Sequence, residues 1–227
     1  RNVLCYNGLW YGIDFYLYGR NGYMVSYNSS ISYEYAHTMK IVKLNEYGYE
    51  EAALGFSLSY NSTIERTKEI LPKFAFGVPG ENNFLEFIET WWDITAPRFW
   101  WQEFDRYRVG TSRLSESTMH TITKRKLSVA DFEYLMDNDI VESLNNDIQM
   151  YQECSGENKK QFFLTIKNKL PEGFLQRRII KINYKSLKNV LEQRWNHKLP
   201  QWRYFCEEVI GNVNHPELLE KQSDFTH

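Results

Sequence analysis

The segment LQRRIIKINYKSLKNVLEQRWNH, residues 175–197, constrains the chain more than any other. Residues 175–182 read as a strand that delivers the chain directly into a helix. At about 100° per residue, Asn183, Leu187, Val190, Leu191 and Arg194 share one face of that helix, while Lys188 and Glu192 point away. An asparagine and an arginine therefore lie on the apolar side. A buried guanidinium with nothing to pair with is strongly unfavourable, so Arg194 needs either a protein carboxylate or a ligand.

The rest of the chain offers elements for that unit to pack against. An apolar strand begins at Met39 and a helix near Tyr49. Residues 64–71 look helical, and KFAFGVPGENN carries the Pro and Gly punctuation of a loop. ETWWDIT is a short alternating strand ended by Ala96-Pro97, followed by a helical stretch over residues 98–108. VGTSRLSEST reads as a polar break, residues 129–151 as helical, CSGENKK as an exposed turn, and residues 158–169 as a helix stopped by Leu170-Pro171. LPQW breaks the helix that follows the 175–182 strand, and a last amphipathic helix spans residues 202–210. Strands and helices interleaved without a βαβ rhythm predict an α+β domain, with helices packed on an antiparallel sheet.

Length and composition narrow the function classes. A chain of 227 residues can bury one full core. Its 27 Lys and Arg against 29 Asp and Glu, spread along the sequence, argue against a nucleic-acid polymer or a polybasic membrane anchor as partner. The longest apolar runs are too short for a membrane span. Cys5, Cys154 and Cys206 are odd in number and show no CxxC pattern, so no disulfide framework is expected and a reducing, cytoplasmic setting fits. Asn28-Ser29-Ser30 and Asn61-Ser62-Thr63 match the glycosylation pattern without a secretory signal beside them. Residues 1–38 hold half of the 16 tyrosines and no lysine. They read as an extension ahead of a start at Met39, with a strand-rich appendage as the alternative, and residues 39–220 as the catalytic domain.

Nucleotide-loop, zincin and serine-elbow patterns are absent, and the histidines are too scattered for a metal site. Cys206 sits in an apolar helix and Cys154 in a solvated turn, neither a setting for a nucleophile. Two polar concentrations remain. The first is QEFDRYRVGTSRLSESTMH, residues 102–120, whose arginines and hydroxyls suit phosphate or a planar polar ring. Its plainer reading is a surface patch in which Asp105 and Glu103 answer Arg106 and Arg108. The second is the helix with Asn183, Lys185, Asn189 and Arg194, whose plainer reading is an arginine paired to an internal carboxylate.

Together the two segments resemble the flavin-dependent thymidylate synthases, the ThyX family. LPEGFLQRRIIKINYKSLKNVLEQR is similar to the family's Leu-Pro, strand, Asn-x-Arg-Ser-Leu, Asn, Arg series without a gap from Leu170 to Arg194. Arg106-Tyr107-Arg108 resembles the family's Arg-His-Arg, and SESTMH its Asn-Glu-x-Ser-x-Arg after a two-residue insertion. ENNFLEFIETWWDITAP resembles the segment before that signature. The resemblance spans about residues 39–210.

It implies a single ThyX-like domain that binds FAD, takes NADPH and methylenetetrahydrofolate as co-substrates, and methylates dUMP to dTMP in a homotetramer whose sites combine several chains. The flavin-contacting positions fall on Glu86, Arg106, Tyr107, Arg108, Asn183, Lys185, Asn189 and, one residue displaced, His197. The nucleotide positions fall on Gln102 or Glu103, Glu116, Thr118, His120, Lys167 and Arg194. Arg194 and Glu116 would hold the uracil ring, as the catalytic pair, and His120 and Lys167 the phosphate. Tyr107 stands for a histidine, His120 and Lys185 for arginines, and Glu81 for a histidine. These departures keep open a relative that modifies another pyrimidine nucleotide, for example by hydroxymethylation, and a non-catalytic nucleotide- or flavin-binding protein. The aromatic run WWDITAPRFWW suits either contacts between subunits or a buried core strand.

Overall fold

The computed structural model describes residues 16–18, 24–26, 38–77, 80–133 and 136–220. Whether residues 1–38 precede a native start lies outside the described residues. Contacts divide the chain into two units, before and from residue 38, and in the first β1 (Tyr16–Tyr18) pairs antiparallel with β2 (Met24–Ser26).

The second unit is built on a four-stranded antiparallel sheet. Its strands are β3 (Lys40–Tyr47), β4 (Glu89–Pro97), β5 (Thr111–Ser115) and β6 (Leu175–Asn183), in the spatial order β3-β4-β6-β5. β4 alternates buried and part-buried residues along its length, which is the period-two signature of a strand with one face on a core. Trp92 lies opposite Ile180 and Thr90 opposite Ile182, so the two central strands present one apolar surface. Thr90 does not break it, because its hydroxyl donates to the Ile182 carbonyl at 2.8 Å and accepts the Trp92 indole N–H at 2.8 Å.

Helices α1 (Tyr49–Tyr60) and α2 (Ile64–Ala75) follow β3, and α2 starts at Thr63, whose hydroxyl accepts the Arg66 N–H. α3 (Arg98–Phe104) leaves β4 directly after Pro97. α7 (Tyr184–Arg194) leaves β6 in the same way, with Asn183 as its N-cap, and α8 (Pro200–Asn212) begins on a proline whose missing N–H costs a first turn nothing. Trp92, Trp100, Trp101, Trp202, Phe104, Phe205 and Tyr184 form the centre of the core. A second, smaller core lies between α5 (Asn138–Glu153) and α6 (Gly156–Lys169), with Phe132 packed edge-on against Phe174.

The α+β architecture agrees with the sequence reading, and several local readings change. VGTSRLSEST is not simply a break, because residues 111–115 form the edge strand β5, and residues 118–121 a single helical turn, α4 (Thr118–Thr121). The helical reading of residues 129–151 splits into a 3-10 turn, Val129–Asp131, and α5. The turn CSGENKK shortens to its first two residues, since α6 starts at Gly156, and α3 ends at Phe104 rather than near residue 108. WWDITAPRFWW supplies core through Trp92, Trp100 and Trp101, which are fully buried, while Trp91 and Phe99 are part-buried. Among the described residues, no helix is long and apolar enough to cross a membrane.

Candidate functional site

The topology brings the two polar concentrations together. β4 and β6 are antiparallel, so α3 and α7 leave from opposite ends of the pair, and it is the last turn of α7 that reaches α3 and the turn after it. Arg194, in the last turn of α7, is 8% exposed and points at α3. Its Nη1 donates to Glu103 Oε2 at 2.6 Å and its Nε to the Tyr107 hydroxyl at 2.8 Å. Trp202 lies beneath the guanidinium, with the ring centroid 4.6 Å from the guanidinium carbon. Glu103 Oε2 also accepts the Trp202 indole N–H at 3.1 Å and lies 3.4 Å from His197 Nε2. The Tyr107 hydroxyl donates onward to Gln193, whose amide donates to Asn189 Oδ1 at 2.9 Å. The question raised by the sequence therefore has a direct answer: a protein carboxylate faces Arg194. Arg194 Nη2 and Glu103 Oε1 remain without hydrogen-bond partners among the described residues.

Gln102 and Glu103, interchangeable by sequence, are separated by the helix. Glu103 faces Arg194, whereas Gln102 turns the other way and donates to Glu172 Oε2 at 2.7 Å. Around Glu172 lies a second cluster. Arg98 Nη2 is 3.3 Å from Glu172 Oε1, and its Nη1 donates to the Leu170 carbonyl. Lys167, part-buried on α6, donates to the Thr118 hydroxyl at 2.5 Å. Burial, and then the neighbouring Arg98, hold the Lys167 amine below its usual range. Glu116 is placed by its backbone, which accepts the Gln176 amide and donates to the Arg177 carbonyl, and its carboxylate is exposed. His120 is exposed and has no side-chain partner among the described residues.

The third group lies at the start of α7. Asn183 is buried and serves as the cap, its Oδ1 accepting the Ser186 N–H at 2.9 Å. Val109 and Gly110 close over it: the Asn183 N–H donates to the Gly110 carbonyl and the Ser186 hydroxyl to the Val109 carbonyl. Gly110 is required here twice, since it has φ of +62° and a Cβ would lie 2.5 Å from Asn183 Nδ2. Lys185 is held by Glu86 at 2.5 Å and Asn83 at 2.6 Å. Arg106 and Arg108 are exposed and pair with no carboxylate among the described residues. The surface-patch reading fails, because Asp105 instead accepts from Arg113 and Arg178 while Glu103 is held by Arg194.

Lys188 lies over the Phe76 ring and pairs with Glu192. Sequence reasoning missed Trp202, Arg98 and Glu172. Trp202 was legible only as apolar, and Arg98 only as the start of a helix. Burial raises the Cys206 thiol to about 12, which makes it a core residue rather than a nucleophile.

No protein-family model matches the sequence, and no curated protein matches it. Solved structures do. A Helicobacter pylori thymidylate synthase X crystallised with FAD and dUMP matches with a TM-score of 0.64 at 19% identity, over 80% of this chain and 97% of that one. A second structure of the flavin-dependent enzyme from the same organism, also complexed with FAD and dUMP, matches with a TM-score of 0.65 at 19% identity, over 80% and 98%. These matches lead to one conclusion: the chain has the fold seen in the flavin-dependent thymidylate synthases, at a sequence identity of 19%.

Proposed function

We propose that the chain binds dUMP and FAD and methylates the nucleotide reductively to dTMP, with NADPH and methylenetetrahydrofolate as co-substrates. The observation that carries this reading is the Arg194–Glu103 pair at the base of the site. Arg194 keeps the two N–H groups of Nη2, and Glu103 keeps Oε1, so the pair still offers a donor and an acceptor after satisfying itself. A pyrimidine edge with a carbonyl beside an N–H is complementary to that combination. Tyr107 and Trp202 fix the guanidinium plane, which limits the entropy lost when a ring is held against it.

The donor set also fits FAD. Arg106 and Arg108 carry guanidinium groups with no carboxylate partner among the described residues, beside the exposed Val109, and suit a diphosphate. Asn189 would contribute its amide, and Asn183 would act as the cap that fixes the first turn of α7. Lys185, already held by Glu86 and Asn83, would act through that pair. When bound, FAD supplies the hydride chemistry that no side chain of the protein can provide. The protein's own part is to orient the ring through Arg194 and Glu103, hold the phosphate through Lys167, Thr118 and His120, and place Glu116 at the ring's far side.

The deciding experiment is the mass of the nucleotide formed from dUMP by the purified chain with FAD, NADPH and methylenetetrahydrofolate. A methyl-sized gain is expected. A hydroxymethyl-sized gain moves the assignment to a modified-nucleotide enzyme, and unchanged dUMP overturns catalysis on this substrate. The Arg194–Glu103 pair also supports a second reading, in which Arg194 is purely structural. Arg194→Ala separates them: a folded variant that no longer binds dUMP eliminates the structural reading. The homotetramer implied by the resemblance belongs to the proposal, and sedimentation velocity tests it.

A further inference from the structure

Lys167 and Arg98 form an unbalanced cluster. Arg98, from α3, donates to the carbonyl of Leu170 just past the end of α6, three residues from Lys167, and lies near enough to lower the Lys167 amine; among the described residues no carboxylate pairs with that amine. Among the described residues Lys167 has one hydrogen-bond partner, the neutral Thr118 hydroxyl. Glu172 is the single carboxylate bonded to Arg98 among the described residues, at 3.3 Å, and it is shared with the Gln102 amide. Its side chain is half exposed, so it can swing to water at little cost, whereas Arg98 is held by the Leu170 carbonyl. Part-buried like charges repel more strongly than exposed ones, so the arrangement is stabilised by a dianion that bridges them.

We propose that Arg98 is a phosphate-binding residue acting with Lys167 and Thr118, and that Glu172 with Gln102 occupies its guanidinium until the nucleotide phosphate displaces them. This rests on the nucleotide reading above and extends it to three residues, Arg98, Glu172 and Gln102, in a new role. An arginine fork matches two phosphate oxygens, while the lysine and the threonine hydroxyl take a third. The carboxylate serves as a stand-in that keeps the fork aimed. Competition from Glu172 lowers affinity for any anion, and removing its charge raises it.

The test compares binding of dUMP, deoxyuridine and inorganic phosphate to the full chain and to its Arg98→Met and Glu172→Gln variants, each checked for folding by thermal melting. Arg98→Met is expected to weaken dUMP by about tenfold or more, the loss of charge-assisted bonds, and to leave deoxyuridine unchanged. Glu172→Gln is expected to tighten dUMP by roughly threefold, again without effect on deoxyuridine. A structural role for Arg98, pinning the loop before β6, would lower melting temperature and weaken both ligands equally. That result overturns the proposal, as does weaker dUMP binding in the folded Glu172→Gln variant. If the wild-type chain binds no dUMP, the nucleotide reading falls and phosphate decides this one. Broadening of the phosphorus resonance by the wild type that is lost in Arg98→Met upholds the site; no broadening overturns it.

Discussion

Arg194 and Lys167 are both cations withdrawn from solvent at opposite ends of the proposed nucleotide site, and they are treated differently. Arg194 is answered within the protein by a carboxylate, a hydroxyl and an indole ring. Lys167 has a hydroxyl and faces another cation. Desolvating a charge is costly in either place, yet the first end returns much of that cost through its own contacts and the second does not. A pre-paired end is rigid before ligand arrives and can set the plane of a base. An unpaired end is an electrostatic sink, and suits the group that carries most of a nucleotide's charge.

Removing the counter-charge at the first end should break the comparison most sharply. Glu103→Ala leaves Arg194 buried without its carboxylate and should cost about 3 kcal/mol, at the low end for buried pairs because the Glu103 side chain is partly exposed. Urea unfolding with an unchanged slope would measure it. A loss below about 1 kcal/mol, within the range of exposed pairs, would mean that water already answers Arg194 and that the two ends are alike.

Tyr107→Phe is the next largest. It deletes an acceptor for Arg194 and a donor to Gln193, and should cost about 1 kcal/mol. Since Tyr107 and Glu103 share Arg194, combining Tyr107→Phe with Glu103→Ala should give less than the sum. Strict additivity would show that the hydroxyl acts through Gln193 alone.

An exposed pair outside the site provides a control. Asp131 accepts from Arg125 and from the Ser128 N–H, and these bonds hold its carboxyl below the ordinary 3.8. A lowered carboxylate value in the folded state gives stability that is present above the unfolded value and lost as pH falls through the folded one. Arg125→Ala should therefore cost about 0.5 kcal/mol at neutral pH, as for other exposed pairs, and the difference from wild type should fade below pH 3.8. A cost that persists at pH 2 would assign it to packing of the arginine stem instead.

The contrast between the two ends was half legible in the sequence. That Arg194 needed a partner follows from a helical period within one segment, and the strand-to-helix unit of residues 175–194 was readable for the same local reason. Its partner lies 91 residues away, and nothing local distinguishes Glu103 from Gln102 beyond a rotation about the helix axis. β5 escaped because TSRLS pairs with β6 alone at a sheet edge and shows no buried face, so its residues lack the alternation that marks β4. Arg98 escaped because an arginine after Ala-Pro looks like an ordinary helix start. Its role depends on α6 lying beside it, a placement fixed by the small core around Phe132, Phe174 and Ile166.

Lys167→Met gives the smallest expected change in stability, and the one whose sign matters most. The lysine amine is lowered in the folded state from its ordinary 10.5, so the unfolded chain holds its proton more tightly. Between the folded value and 10.5 the unfolded state binds more protons, and stability rises with pH across that window. Methionine keeps the aliphatic stem and removes the titration. At neutral pH the variant should equal wild type or exceed it by a few tenths of a kcal/mol, and wild type should gain on it as pH approaches 10.5. Other groups that titrate in alkali are common to both proteins and cancel in the difference. Saturating dUMP should reverse the order at neutral pH, because the phosphate supplies the missing counter-charge to wild type alone. A difference that stays flat with pH, and is untouched by dUMP, would show that Lys167 already has its partner and would dissolve the distinction between the two ends.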